Sequence, residues 1–115
     1  MKNYKGTIIQ ESLIDDRILN DFDFVGFKVT NEEKPEARWH LFTVFASHED
    51  IEKLASNLKP EKWYAHFWSG DDVIAVYPSK TFQFKISDKS TWINAVEYGK
   101  SLRIPADQLT FEIVE

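Results

Sequence analysis

The sequence predicts an α+β domain. Its core is a mixed, mainly antiparallel sheet with helices on one face, in the order β-α-β-β-α-β-β-β-α with a closing β. The first six elements follow the ferredoxin-like split-βαβ order. Three observations lead there. Six stretches read as strands, and most of them divide into two faces by the period of two that a pleated strand imposes. Two later stretches carry apolar stripes at helical spacing. Compact turn signals, Ser69-Gly70-Asp71-Asp72 and Pro78-Ser79-Lys80, separate the last three strands and make hairpins of them.

Residues 3–12 read as the first strand, with Gly6, Ile8 and Gln10 on one side and Thr7, Ile9 and Glu11 on the other. Residues 14–21 read as a short helix. Ile14, Ile18 and Phe22 fall at i, i+4 and i+8, and Asp15 and Asp16 occupy the first turn, where the helix dipole favours acids. Residues 23–30 form a second strand with Val25, Phe27 and Val29 on one face. The charged run 31–36, with Pro35, is a surface loop. Residues 38–46 form a third strand. One face carries Trp39, Leu41, Thr43 and Phe45, and the other His40, Phe42, Val44 and Ala46.

Ser47 and Asp50 have the spacing of a capping box, and Ile51, Leu54, Ala55 and Leu58 then make a stripe, so a helix is predicted over 48–58 before Pro60. Strands follow at 62–68, 73–77 and 81–86. The last helix spans 90–102, with Trp92, Ala95, Val96, Gly99 and Leu102 on its buried face. A glycine inside a helix costs about 1 kcal/mol relative to alanine, so Gly99 implies a close approach to the sheet. Ile104-Pro105 stops the helix. Residues 110–114 read as a short final strand.

The 115 residues suit one domain, and no repeat, linker or low-complexity tract divides them. The chain has no cysteine, which excludes disulfides, thiolate nucleophiles and cysteine-based metal sites. It contains no apolar run long enough for a signal-peptide core or a membrane span. A cytoplasmic, bacterial-style protein is therefore expected. The net charge is −5, and the excess of acid is spread along the chain, with 8 basic and 11 acidic side chains in residues 1–59 and 6 and 8 in residues 60–115. No basic run offers itself to phosphates, so no nucleic-acid partner is expected. Val25-Gly26-Phe27-Lys28-Val29 matches part of an RNA-recognition octapeptide but lacks its leading basic residue.

The aromatic content of 15% is high. It concentrates in Trp39-His40 and in Trp63-Tyr64-Ala65-His66-Phe67-Trp68. Should the intervening helix make a crossover, these strands run parallel, and His40 meets Tyr64, His66 and Trp68 on one aromatic surface. Such a surface is a site for a ligand or partner; the last helix or a long loop covering it is the alternative. The expected binding residues are thus His40, Tyr64, His66 and Trp68, serving self-association, a protein or a small molecule. The other reading is a small enzyme or ligand-sensing domain with His40 and His66 in a pocket, joined by Glu97. No HExxH, P-loop, GxGxxG or GxSxG motif is present, so neither a metal nor another cofactor is expected. Asp71-Asp72 is explained by turn chemistry, and His48 beside the helix cap by surface exposure.

The set Trp39-His40, Trp63-Tyr64-x-His66, Lys80-x-Phe82, Thr91-Trp92-x-x-Ala95-x-x-Tyr98-Gly99 and Ile104-Pro105-x-x-Gln108-Leu109 resembles a pattern in small bacterial proteins of unknown function. The resemblance covers residues 38–110. It implies a cytosolic stand-alone domain and carries no activity or site residue. Arg103 departs from the pattern, in which glycine precedes Ile-Pro.

Overall fold

Six strands form one antiparallel sheet: β1 (Tyr4–Ile9), β2 (Asp23–Val29), β3 (His40–Ala46), β4 (Ala65–Ser69), β5 (Asp72–Tyr77) and β6 (Lys80–Lys85). Their spatial order is β2-β3-β1-β4-β5-β6. The computed structural model describes residues 2–60, 63–105 and 109. The final strand expected at 110–114 and the start of the strand expected at 62 lie outside them.

β1 pairs with β3 on one side, Gly6 opposite Val44, and with β4 on the other, Gly6 opposite Phe67. Because every pairing is antiparallel, β3 and β4 run parallel with β1 between them, and β1 and β2 run parallel with β3 between them. Two split crossovers therefore interlock, as the ferredoxin-like order of the first six elements predicts. Gly6 permits this. A Cβ at position 6 would lie 2.5 Å from Phe67 Cδ2 and 2.7 Å from the His66 carbonyl oxygen.

The α1 helix (His48–Ala55) carries the β3-to-β4 crossover. Ser47 caps it as the sequence predicts: Ser47 Oγ accepts the Asp50 amide, and the Asp50 carboxylate accepts the Ser47 amide. Ile51, Leu54 and Ala55 are buried against Ile8, Val44, Ala46, Phe67, Ile74 and Val76. The helix is shorter than the expected 48–58. Leu58 is still buried, but past the helix end, in a bridge with Leu13.

The expected helix at 14–21 is instead a 3-10 segment, Asp16–Asp21, preceded by another at Gln10–Ser12 that ends β1 early. Here Leu19 and Phe22 are buried and Ile14 is 63% exposed. A 3-10 turn repeats every three residues, so the i, i+4 stripe does not share one face. Asp15 caps the segment by accepting the Arg17 amide.

The largest departure from expectation is the layering. The α2 helix (Ile93–Ser101) does not join α1. Ala95 is buried with Trp68, Val73, Ala75, Tyr77 and Phe84, whose side chains alternate with those under α1. The helices thus cover opposite faces, and β5 lies sandwiched between them. Gly99 makes the close approach that its cost implies: a Cβ there would lie 2.9 Å from the Tyr77 hydroxyl oxygen. That hydroxyl donates to the Ala95 carbonyl at 2.7 Å. Trp92 precedes α2 in a 3-10 turn, half-buried, with its indole N–H on the Lys85 carbonyl at 2.7 Å.

The α2 helix ends in a Schellman motif. The Ile104 amide bonds to the Gly99 carbonyl and the Arg103 amide to the Lys100 carbonyl, with Ile104 buried. Arg103 occupies the left-handed position, φ 65°, where glycine is the unstrained residue.

Two stability changes follow. Gly6→Ala is expected to lower the unfolding free energy by on the order of 3 kcal/mol, because backbone as well as a ring must move; a urea midpoint within error of wild type would refute it. Arg103→Gly is expected to raise stability by about 1 kcal/mol by removing the left-handed penalty. Thermal melting should show the gain, and a loss would mean that the arginine side chain matters more than its backbone.

Candidate functional site

The sheet separates the residues expected to form a common surface. His40 opens β3 on the α1 face, alongside Phe42. Its ring Nδ1 lies 2.7 Å from Glu11 Oε2, and its backbone amide donates to Glu11 Oε1 at 2.8 Å. An ionised carboxylate only accepts, so Nδ1 carries the proton in this contact. Glu11 is placed by the 3-10 turn that follows β1, next to the start of β3. Partial desolvation pushes the Glu11 carboxyl up. The His40 amide and ring outweigh it, together with the Glu11 amide, and the net direction is below the ordinary value.

Tyr64, His66 and Trp68 lie on the opposite face, and β1 separates β4 from β3. A pocket shared by His40 and His66 is therefore not formed. Trp68 is 7% exposed and belongs to the core under α2. The His66 ring sits 5.4 Å from it. Tyr64 is half-buried, 5.9 Å from the Tyr77 ring, and burial pushes its phenol up. Around Tyr77 the rings of Phe82 and Tyr98 continue the cluster, capped by the Lys80 ammonium at 5.7 and 5.4 Å. The last helix covers much of this surface, the alternative that the sequence left open.

The exposed aromatic surface lies elsewhere, on β2. This edge strand is exposed along its whole length, with Phe24 at 52%, Val25 at 53% and Phe27 at 58%. Phe24 stands opposite Val44, Gly26 opposite Thr43 and Phe27 opposite Phe42, so Val25 is an extra residue, a β-bulge. The expected face of Val25, Phe27 and Val29 is corrected accordingly. Phe24, Phe27 and Val29 share the α1 face, while Asp23, Gly26 and Lys28 share the other. On the α1 face a row of rings results: Phe24 lies 5.4 Å from Phe42, Phe42 lies 4.9 Å from Phe27, and Phe27 stacks on His40 at 6.1 Å. Glu11 holds the end of that row in place. The signal in the sequence was Gly26, since a mid-strand glycine often marks a bulge.

Other charged groups serve turns. Arg17 grips the Asp15 carboxylate with two nitrogens and holds it down at about 2. Asp71 accepts from the Ser87 hydroxyl and amide, and Asp72 pairs with Lys85. Glu97 is exposed on α2. Among the described residues, no three His, Asp or Glu side chains gather to hold a metal, and no helix is long and apolar enough to cross a membrane. No family model, curated protein or solved structure matches the chain.

The His40–Glu11 contact has a pH consequence. A carboxyl whose folded value is depressed stabilises the fold above its ordinary value, 4.5 for Glu11, and loses that contribution as pH falls through the folded value. His40→Ala removes the ring but keeps the amide, so the Glu11 titration, read by carboxyl NMR, should move part-way up. The variant's stability should also fall less steeply than wild type between about pH 5 and 3. An unmoved Glu11 titration would show that the ring contributes nothing.

Proposed function

We propose that the chain is a non-catalytic interaction domain whose binding surface is the β2 edge with the Phe24–Phe42–Phe27–His40 row. The carrying observation is the seven-residue edge strand exposed from end to end, with two phenylalanines more than half accessible. An open edge offers unpaired backbone groups to an added strand, which supplies affinity, while side-chain contacts supply selectivity. Aromatics suit such contacts because they bury large area at little entropic cost. The opposite edge is less open. At the end of β6 the Thr91 hydroxyl accepts the Lys85 amide and the Trp92 indole donates to its carbonyl. The absence of cysteine supports a reducing compartment, the cytoplasm, as the setting.

A second reading rests on the Glu11–His40 pair beside Phe27, which offers an oriented imidazole next to an aromatic platform for a small ligand. The first reading draws on the larger surface.

The test is a selection of random nine-residue peptides displayed on phage against the folded protein. Selected peptides should bind wild type and lose at least about tenfold affinity against Phe27→Glu, a loss of roughly 1.4 kcal/mol. The variant should melt like wild type, because Phe27 is exposed. No enrichment, or peptides indifferent to Phe27→Glu, would overturn the proposal.

A further inference from the structure

We infer that the strand taken up by the β2 edge is β2 of a second copy, paired antiparallel about a two-fold axis through Val25 and Gly26. The inference rests on the interaction surface proposed above and names its occupant. Two six-stranded sheets would join into one of twelve.

The bulge is the first argument. In a regular strand, residues three apart point to opposite faces, so Phe24 of one copy has no matching partner in Phe27 of another. The extra residue at Val25 changes the parity. Phe24 and Phe27 now share the α1 face, and Asp23 and Lys28 share the reverse. With the axis at Val25 and Gly26, each Phe24 meets the other copy's Phe27. Each Asp23 meets the other copy's Lys28. Both bulges fall at the axis, where each Val25 faces the other copy's Gly26 and both strands have the same number of residues between the phenylalanine pairs. Facing aromatic pairs and facing opposite charges both favour an antiparallel pairing.

Other registers do worse. One centred on Lys28 sets two lysines against each other. One centred on Phe27 places Lys28 against Gly26 and leaves Asp23 beyond the pairing, with Val25 unmatched. Closure is the second argument. β2 joined to itself is isologous and ends with the dimer, whereas β2 joined to β6 would propagate as a filament. The Thr91 and Trp92 contacts with Lys85 impede that second arrangement.

A charge-swap cycle read by sedimentation equilibrium of the full chain tests the register. Wild type should show a monomer–dimer equilibrium. Asp23→Lys and Lys28→Asp should each weaken dimerisation by about tenfold, since each places like charges together twice across the axis. The double variant, Asp23→Lys with Lys28→Asp, should recover wild-type association. Both side chains are exposed, and melting curves will confirm that the fold is kept. A wild type that stays monomeric, singles that dimerise like wild type, or a double variant that fails to recover would each overturn the inference. If wild type is monomeric yet selected peptides still require Phe27, the interaction surface stands and the second copy is not its occupant.

Discussion

The contact between Gly6 and the Phe67 ring is the constraint on which the architecture depends. β1 can pair with β3 and β4 at once only if the centre of the strand is bare on the side where Phe67 lies. Phe67 is fully buried and touches the same cluster as Ile51 and Leu54 of α1. One close approach therefore fixes three things together: the middle of the sheet, the reach of the β3-to-β4 crossover, and the depth at which α1 sits. Aromatic rings over strand glycines are a recurrent way of filling the gap that a missing side chain leaves.

Placing the two helices on opposite faces distributes cover unevenly. From Val73 to Tyr77, β5 has no exposed residue, because alternate side chains enter alternate cores. At the other edge, β2 has no buried residue. The same sheet thus runs from a doubly covered strand to an uncovered one over four strand spacings. Tyr64, Trp68, Tyr77, Phe82, Phe84, Trp92 and Tyr98 fill the space between sheet and α2, Phe22, Phe42 and Phe67 pack on the α1 side, and Phe24 and Phe27 lie exposed on the edge strand.

Much of this was legible in the residues. Period-two alternation located β3 and β6, the Ser69–Asp72 turn signal located β5, the Ser47–Asp50 spacing located the start of α1, and the cost of Gly99 correctly implied a tight contact. The failures have physical causes. A stripe at helical spacing says that a helix buries one side; it does not say which face of a sheet receives it, and so α2 was placed with α1 and Trp68 was read as accessible. Ile14, Ile18 and Phe22 fit a 3.6-residue period that a 3-10 segment does not have. A bulge shifts the parity of everything beyond it, so Gly26 moved Phe24 onto the face of Phe27. The meeting of His40 with His66 failed because β1, first in the chain, inserts between β3 and β4.

That insertion bears on how the protein is made. β1 leaves the ribosome first, yet its partners are centred near Val44 and Phe67, far later in the chain. The hairpins β4-β5 and β5-β6 need only local chain closure, which is fast. The strand that holds Ile8, destined for complete burial, can pair with β3 once Ala46 is made but lacks a partner on its other side until the chain reaches Trp68. Vectorial synthesis thus makes β1 the strand with the longest interval between its own synthesis and that of its second partner.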